Sequence, residues 1–251
     1  MAAPALIALA HASRDTRTAK TISALVSEVK PQRPDLRVER AFVQHGAHRG
    51  RPEFQAVVDR LVKAGHVEIV VVPLVMSEAF GATDDIDAAV AEAGARHPQI
   101  QVRCSAILGL EACFLEVLDV RMREALKDAR VRELDALVLA AAGSTDPLAN
   151  QSVARLARLW GTHHKLPVTA AYAANTPPAT GEAVRAFRAE GRRHIAVASL
   201  FLTPGELTDR AEELALEAGA VAVSKPLGAH PEVARVVLAR YAVGAVELVP
   251  V

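Results

Sequence analysis

The sequence predicts an α/β fold made of two similar domains, each a parallel sheet flanked by helices. Three observations carry this. Short apolar runs rich in Val, Ile, Leu and Ala alternate with stretches whose apolar residues recur at helical spacing. The strand-like runs are continuous rather than alternating, as in strands buried on both faces. The second half of the chain repeats the pattern of the first.

The elements follow in order. "ALIALA" (Ala5 to Ala10) reads as a strand. "TRTAKTISALVSEVK" places Ile22, Leu25, Val26 and Val29 on one helical face, and Asp15 or Thr16 can cap it. "LRVERAFV" (Leu36 to Val43) is a second strand. "PEFQAVVDRLVKAG" (Pro52 to Gly65) is a helix with Pro near its start and Gly past its end. "EIVVVPLVM" is a third strand, "DDIDAAVAEAGARH" a helix, "IQVRCSAIL" a fourth strand and "ACFLEVLDVRMREALKDA" a long helix. This β-α order implies parallel pairing with right-handed crossovers.

The second half runs "DALVLAAAGSTD", "LANQSVARLARLW", "LPVTAAYA", "GEAVRAFRAEG", "HIAVASLFL", "LTDRAEELALEAG", "AVAVS" and "PEVARVVLARYA". "LAHASRD" lies over "AAAGSTD" at an offset of 131 residues, and "RAFV" over "AAYA" at 130. "AGHVEIVVVPLVMS" lies over "EGRRHIAVASLFLT" at 126, so the drift is that of loop insertions. The expected domains are therefore residues 1–130 and 131–251.

Bulk properties narrow the function. The chain has 251 residues, 51% of them hydrophobic and 4% aromatic, enough for a substantial Ala/Val/Leu core. Its 29 basic and 29 acidic residues cancel, which argues against nucleic acid and against an anionic membrane surface. The two cysteines, Cys104 and Cys113, do not make a disulfide framework. Cys104 reads as a buried free thiol in a strand. The N-terminal segment lacks a basic region, and its apolar run is too short for a signal peptide or a spanning helix, so a cytoplasmic protein is expected.

Ligands of parallel sheets bind beyond the carboxyl ends of the strands. His11 ends the first strand, "QHGAH" (Gln44 to His48) follows the second, and "SEAFGATDD" (Ser77 to Asp85) follows the third. If the two halves pack with pseudo-twofold symmetry, "AGSTD", "ANTPP" and "TPGELTD" face them across a cleft. Only one copy carries the imidazole, because Ala142 occupies the place of His11.

Imidazole near neutral pH is a metal ligand or a proton acceptor. His11, His45 and His48 are the candidate metal ligands, and His11, Gln44 and His45 the candidate catalytic residues. A helix N-terminus beside Ser13 and Arg14 can hold a carboxylate, and Ser144 marks the same turn in the second copy. Ser77 and Phe80 complete the expected substrate contacts. Such a pair of anion sites suits a large polycarboxylate. His163 and His164, between a helix and a strand on the opposite edge, read as surface. The chain has no HExxH or CxxC, no phosphate-cradling glycine loop and no GxSxG elbow, so nucleotide and serine-hydrolase chemistry lack support.

Taken together, "LAHASRD", "RAFVQH", "VVVPLVMS", "LAAAGSTD", "SLFLTPGELTDR" and "KPLGAHPEVARVVLARY" resemble the sirohydrochlorin chelatase family in order and spacing, over nearly the whole chain. The match is to the duplicated form, in which one polypeptide holds both chelatase-like domains. The resemblance implies an ATP-independent lyase of siroheme or cobalamin biosynthesis, acting on a tetrapyrrole with Co2+, Fe2+ or Ni2+ and no nucleotide. A duplicated chain already supplies both halves of a cleft, so a monomer or homodimer is expected. The resemblance also implies that the histidine matched by His11 binds metal and accepts pyrrole protons.

The family's second histidine, in the loop after the third strand, aligns with Gly81, and its acidic residue after the second strand with Gln44. The glycine that usually follows the first histidine is Ala12. His45 or His48 would then supply the missing ligand. The alternative is a divergent member that binds or delivers a tetrapyrrole or metal, or acts on another small molecule. A two-domain periplasmic-binding-like protein fits less well, given the internal repeat.

Overall fold

The computed structural model describes residues 3–43, 52–77 and 82–248. Among the described residues, sixteen elements alternate: β1 (Ala5–His11), α1 (Thr16–Gln32), β2 (Val38–Val43), α2 (Phe54–Lys63), β3 (Glu68–Pro73), α3 (Ala82–Arg96), β4 (Gln101–Cys104), α4 (Phe114–Asp128), β5 (Ala136–Ala141), α5 (Pro147–His164), β6 (Val168–Tyr172), α6 (Thr180–Ala189), β7 (Ile195–Ser199), α7 (Glu206–Glu217), β8 (Ala222–Val223) and α8 (Pro231–Val246). They form two parallel four-stranded sheets, β2-β1-β3-β4 and β6-β5-β7-β8, flanked by helices. The predicted fold class is the one observed.

In the first sheet, β1 is central and every residue from Ala5 to Ala10 is at most 5% exposed. Strand alternation divides that run between two faces. Ala5, Ile7 and Leu9 pack with Phe54, Val57, Val58 and Leu61 of α2 and with Ile86 and Ala93 of α3. Helices α1 and α8 pack together, α1 on β2 and α8 on β3. Burying each large aliphatic chain contributes about 1.5–3 kcal/mol, so the apolar run itself fixes the strand's central position. The second sheet repeats the arrangement. Val138 of β5 packs with Val184 and Phe187 of α6 and with Ala211 and Ala215 of α7.

The units of packing differ from the halves of the repeat. One compact unit holds residues Met1–Gly109 and Ala229–Val251, and the other holds Leu110–Gly228. The 1–130 and 131–251 division follows the repeat, and the units of packing cut the chain differently. Helix α4, which ends the first repeat, packs on β7 and β8, and α8, which ends the second, packs on β3 and β4.

The repeat nevertheless extends to single hydrogen bonds. Leu74 N–H donates to Leu9 O at 2.7 Å, and Leu200 N–H donates to Ala140 O at 2.7 Å. Ser105 N–H donates to Val71 O, as Ser224 N–H does to Val197 O. Two boundaries shift from the sequence reading. Strand β4 stops at Cys104 rather than continuing through "SAIL". Helix α5 runs on through His163 and His164, which therefore lie in a helix rather than in a connection.

Candidate functional site

The candidate site is at the carboxyl edge of the first sheet. His11 is the last residue of β1, half-buried, and in register with Val43 at the end of β2. Alternation along β1 sets it on the face of Ile7 and Leu9. Ala142, its counterpart, packs against the α6/α7 cluster of the other unit. The edge is therefore chemically different in the two copies.

On that same face lies a recess of about 250 Å3, lined by Phe42, Val43, Glu53, Gln55, Asp85 and Glu92, among others. Its position follows from the chain. Phe42 N–H donates to Pro52 O at 3.0 Å, which holds the start of α2 beside the end of β2. Asp85 stands in the first turn of α3, where an acidic residue complements the positive end of the helix. Gln55 Nε2 donates to Ala89 O at 2.9 Å, while its buried Oε1 has no hydrogen-bond partner among the described residues. Three carboxylates thus rim a recess that shares Val43 with the register of His11. Sequence reasoning missed Glu53, Gln55 and Glu92, because helix pattern alone does not show which helix starts meet a strand end.

The turn after β1 is built by side chains. Asp15 N–H donates to Ser13 Oγ at 3.1 Å, and the Asp15 carboxylate caps α1 by accepting the Arg17 N–H at 2.8 Å. The second copy does the same: Asp146 N–H donates to Ser144 Oγ at 3.0 Å, and Asp146 accepts the Leu148 N–H at 2.9 Å. The expected anion sites are therefore partly taken by the protein's own cap carboxylates. Ser144 is only 3% exposed, and its backbone N–H and C=O both bond the Asn150 side chain, so it serves the turn. Arg14 is exposed and Ser13 half-buried beside His11.

Ser77 follows β3, whose extension is tied to β1 by the Leu74–Leu9 bond, so it lies at the same edge. Gln44, His45, His48, Phe80 and Gly81 lie outside the described residues. Among the described residues, His11 belongs to no group of three metal-ligating side chains. Cys104, at the end of β4, is not a ready thiolate ligand: burial pushes its thiol up to about 11, and Asp87 adds to that. No described helix is long and apolar enough to cross a membrane.

The fold and edge are those of a duplicated parallel α/β protein with one imidazole at the end of the central strand. The CbiX family model matches residues 5–125 and 136–243, so both repeats are recognised. The chain belongs to this family, that of the sirohydrochlorin chelatases. It is 28% identical over 167 residues to a sirohydrochlorin cobaltochelatase of Priestia megaterium, a match covering 65% of this chain and 54% of the relative. It is 23% identical over 237 residues to a sirohydrochlorin ferrochelatase of the same organism, covering 92% and 87%. Among solved structures, SirB from Bacillus subtilis with Fe3+ superposes with a TM-score of 0.78 at 22% identity, covering 97% of this chain and 96% of that one. The matched stretch spans about half the length of the cobaltochelatase.

Proposed function

We propose that this protein inserts Co2+ or Fe2+ into sirohydrochlorin, with His11 as metal ligand and proton acceptor. The observation that carries the reading is His11 itself, at the end of β1 and next in register to the wall of an acidic recess. Family membership supports the reaction class, and the names of the relatives support the substrate.

Metal insertion must bring a divalent cation to the macrocycle and remove two pyrrole protons. Carboxylates at Glu53, Asp85 and Glu92 favour the approach of a cation. A neutral imidazole binds such an ion, or takes a proton, at neutral pH. Arg14 and Ser13, on the same turn, suit the carboxylates of the tetrapyrrole, with Ser77 and Phe80 as the further proposed substrate contacts. His45, with His48 as the other candidate, completes the metal coordination, and Gln44 orients water or substrate.

Gly81, standing where the family's second histidine aligns, favours a second reading: a carrier that binds tetrapyrrole or metal without inserting it. The two are separated by mixing the protein with sirohydrochlorin and Co2+ or Fe2+ and following the visible spectrum against a protein-free control. The proposed chelatase accelerates the spectral change of insertion. Binding without acceleration identifies the carrier and overturns the proposal. An insertion rate unchanged in His45→Ala removes that residue from the site.

A further inference from the structure

The last turn of α5 presents two adjacent histidines to solvent, His163 and His164. Asp119, on the first half of α4, reaches them from the neighbouring helix. One ligand-capable atom of each residue lies within 4.8 Å of those of the other two. His164 Nε2 is 2.8 Å from Asp119 Oδ1. The two imidazole rings stand edge to face, with centroids 4.9 Å apart. Trp160, 1% exposed, donates its indole N–H to the same Asp119 Oδ1 at 2.7 Å and packs its ring against that of His164.

We infer that Asp119, His163 and His164 form a divalent transition-metal site within the Leu110–Gly228 unit, separate from the edge that carries His11. Two imidazoles and one carboxylate match Zn2+, Co2+ or Ni2+, and not the all-oxygen shells of Mg2+ or Ca2+. Ligands on bonds of about 2.0–2.1 Å stand roughly 3.3 Å apart in a tetrahedron. The His164–Asp119 pair needs only a small opening to admit the ion. The buried indole holds the carboxylate in place, as a fixed donor behind a metal ligand does. The C-terminal end of α5 adds partial negative charge. The remaining coordination positions face solvent, which makes the site exchangeable rather than structural. The inference stands independently of the chelatase reading.

Trp160 is the chain's one tryptophan, so its fluorescence reports on this site directly. Tag-free protein is titrated with Co2+ and with Ni2+, paramagnetic ions that quench a nearby indole. The expected result is saturable quenching at one equivalent, with affinity falling at least tenfold in His163→Ala and in His164→Ala, and retained in His11→Ala. His163 is exposed, so its variant tests the ligand without disturbing the Trp160 packing. Quenching that does not saturate, or that survives His163→Ala and His164→Ala unchanged, overturns the site. Loss of quenching in His11→Ala alone also overturns it.

Discussion

Arg240 on α8 reaches back to donate from Nη2 to Leu108 O at 3.0 Å and from Nε to Ile107 O at 2.8 Å. Arg121 on α4 makes the corresponding clasp in the other unit, donating from Nε and Nη2 to Leu227 O at 3.2 and 2.9 Å. Each clasp grips the segment just before the chain passes to the next unit, at Gly109 and at Gly228. The helix that closes each sheet is thereby pinned to the loop beyond its outermost strand. Arg240→Ala should cost about 1–3 kcal/mol in urea unfolding, because it leaves two carbonyls without their charged donor. Arg240→Lys should recover only part of the loss, since an ammonium cannot span both carbonyls as a guanidinium does. Equal stability of wild type and Arg240→Ala would remove the clasp from the account.

Gly143 and Ala12 occupy equivalent places after β5 and β1, yet their backbones differ. Gly143 has φ +86, and a Cβ there would lie 2.0 Å from Ala174 O. Ala12 does not adopt positive φ. Gly143→Ala should therefore destabilise by about 2 kcal/mol or more, from left-handed strain plus a clash with backbone. Ala12→Gly should cost no more than about 1 kcal/mol, through unfolded-chain entropy. Thermal unfolding of both variants measures this difference, and similar costs at the two positions would contradict it.

Asp135 supplies a pH-dependent contribution at the start of β5. Burial tends to raise its carboxyl, but the N–H groups of Arg193 and His194, at 2.7 and 3.1 Å, outweigh that and hold it below the ordinary carboxylate range. A depressed folded value means stability that is complete above the unfolded value, near 3.9, and is lost as pH falls through the folded one. The stability gap between wild type and Asp135→Asn should be full near pH 6 and should narrow as pH falls below about 4. A gap constant across that range would show that the carboxylate's charge is not involved.

Fold class and the β-α order along the chain were legible because each rests on local pattern, and the helix start was narrowed to Asp15 or Thr16, of which Asp15 is the cap. The packing boundary was not legible. The repeat in sequence ends near residue 130, but which sheet α4 or α8 covers depends on surfaces far apart in the chain. His163 and His164 were visible as a pair. Their partner Asp119 lies 45 residues earlier on another helix, and no spacing rule connects them. At the proposed active edge, His11 was legible from its place at a strand end, whereas its pairing with Val43 needed the order of strands in the sheet. The acidic recess needed α2 and α3 to be packed side by side.

We propose that His11 carries the chemistry of one edge in an otherwise repeated fold. The most direct measurement is the initial rate of Co2+ insertion into sirohydrochlorin, by visible absorbance, for wild type and His11→Ala. The expected result is a loss of at least about a hundredfold in His11→Ala. A variant that folds like wild type and keeps the wild-type rate would contradict it.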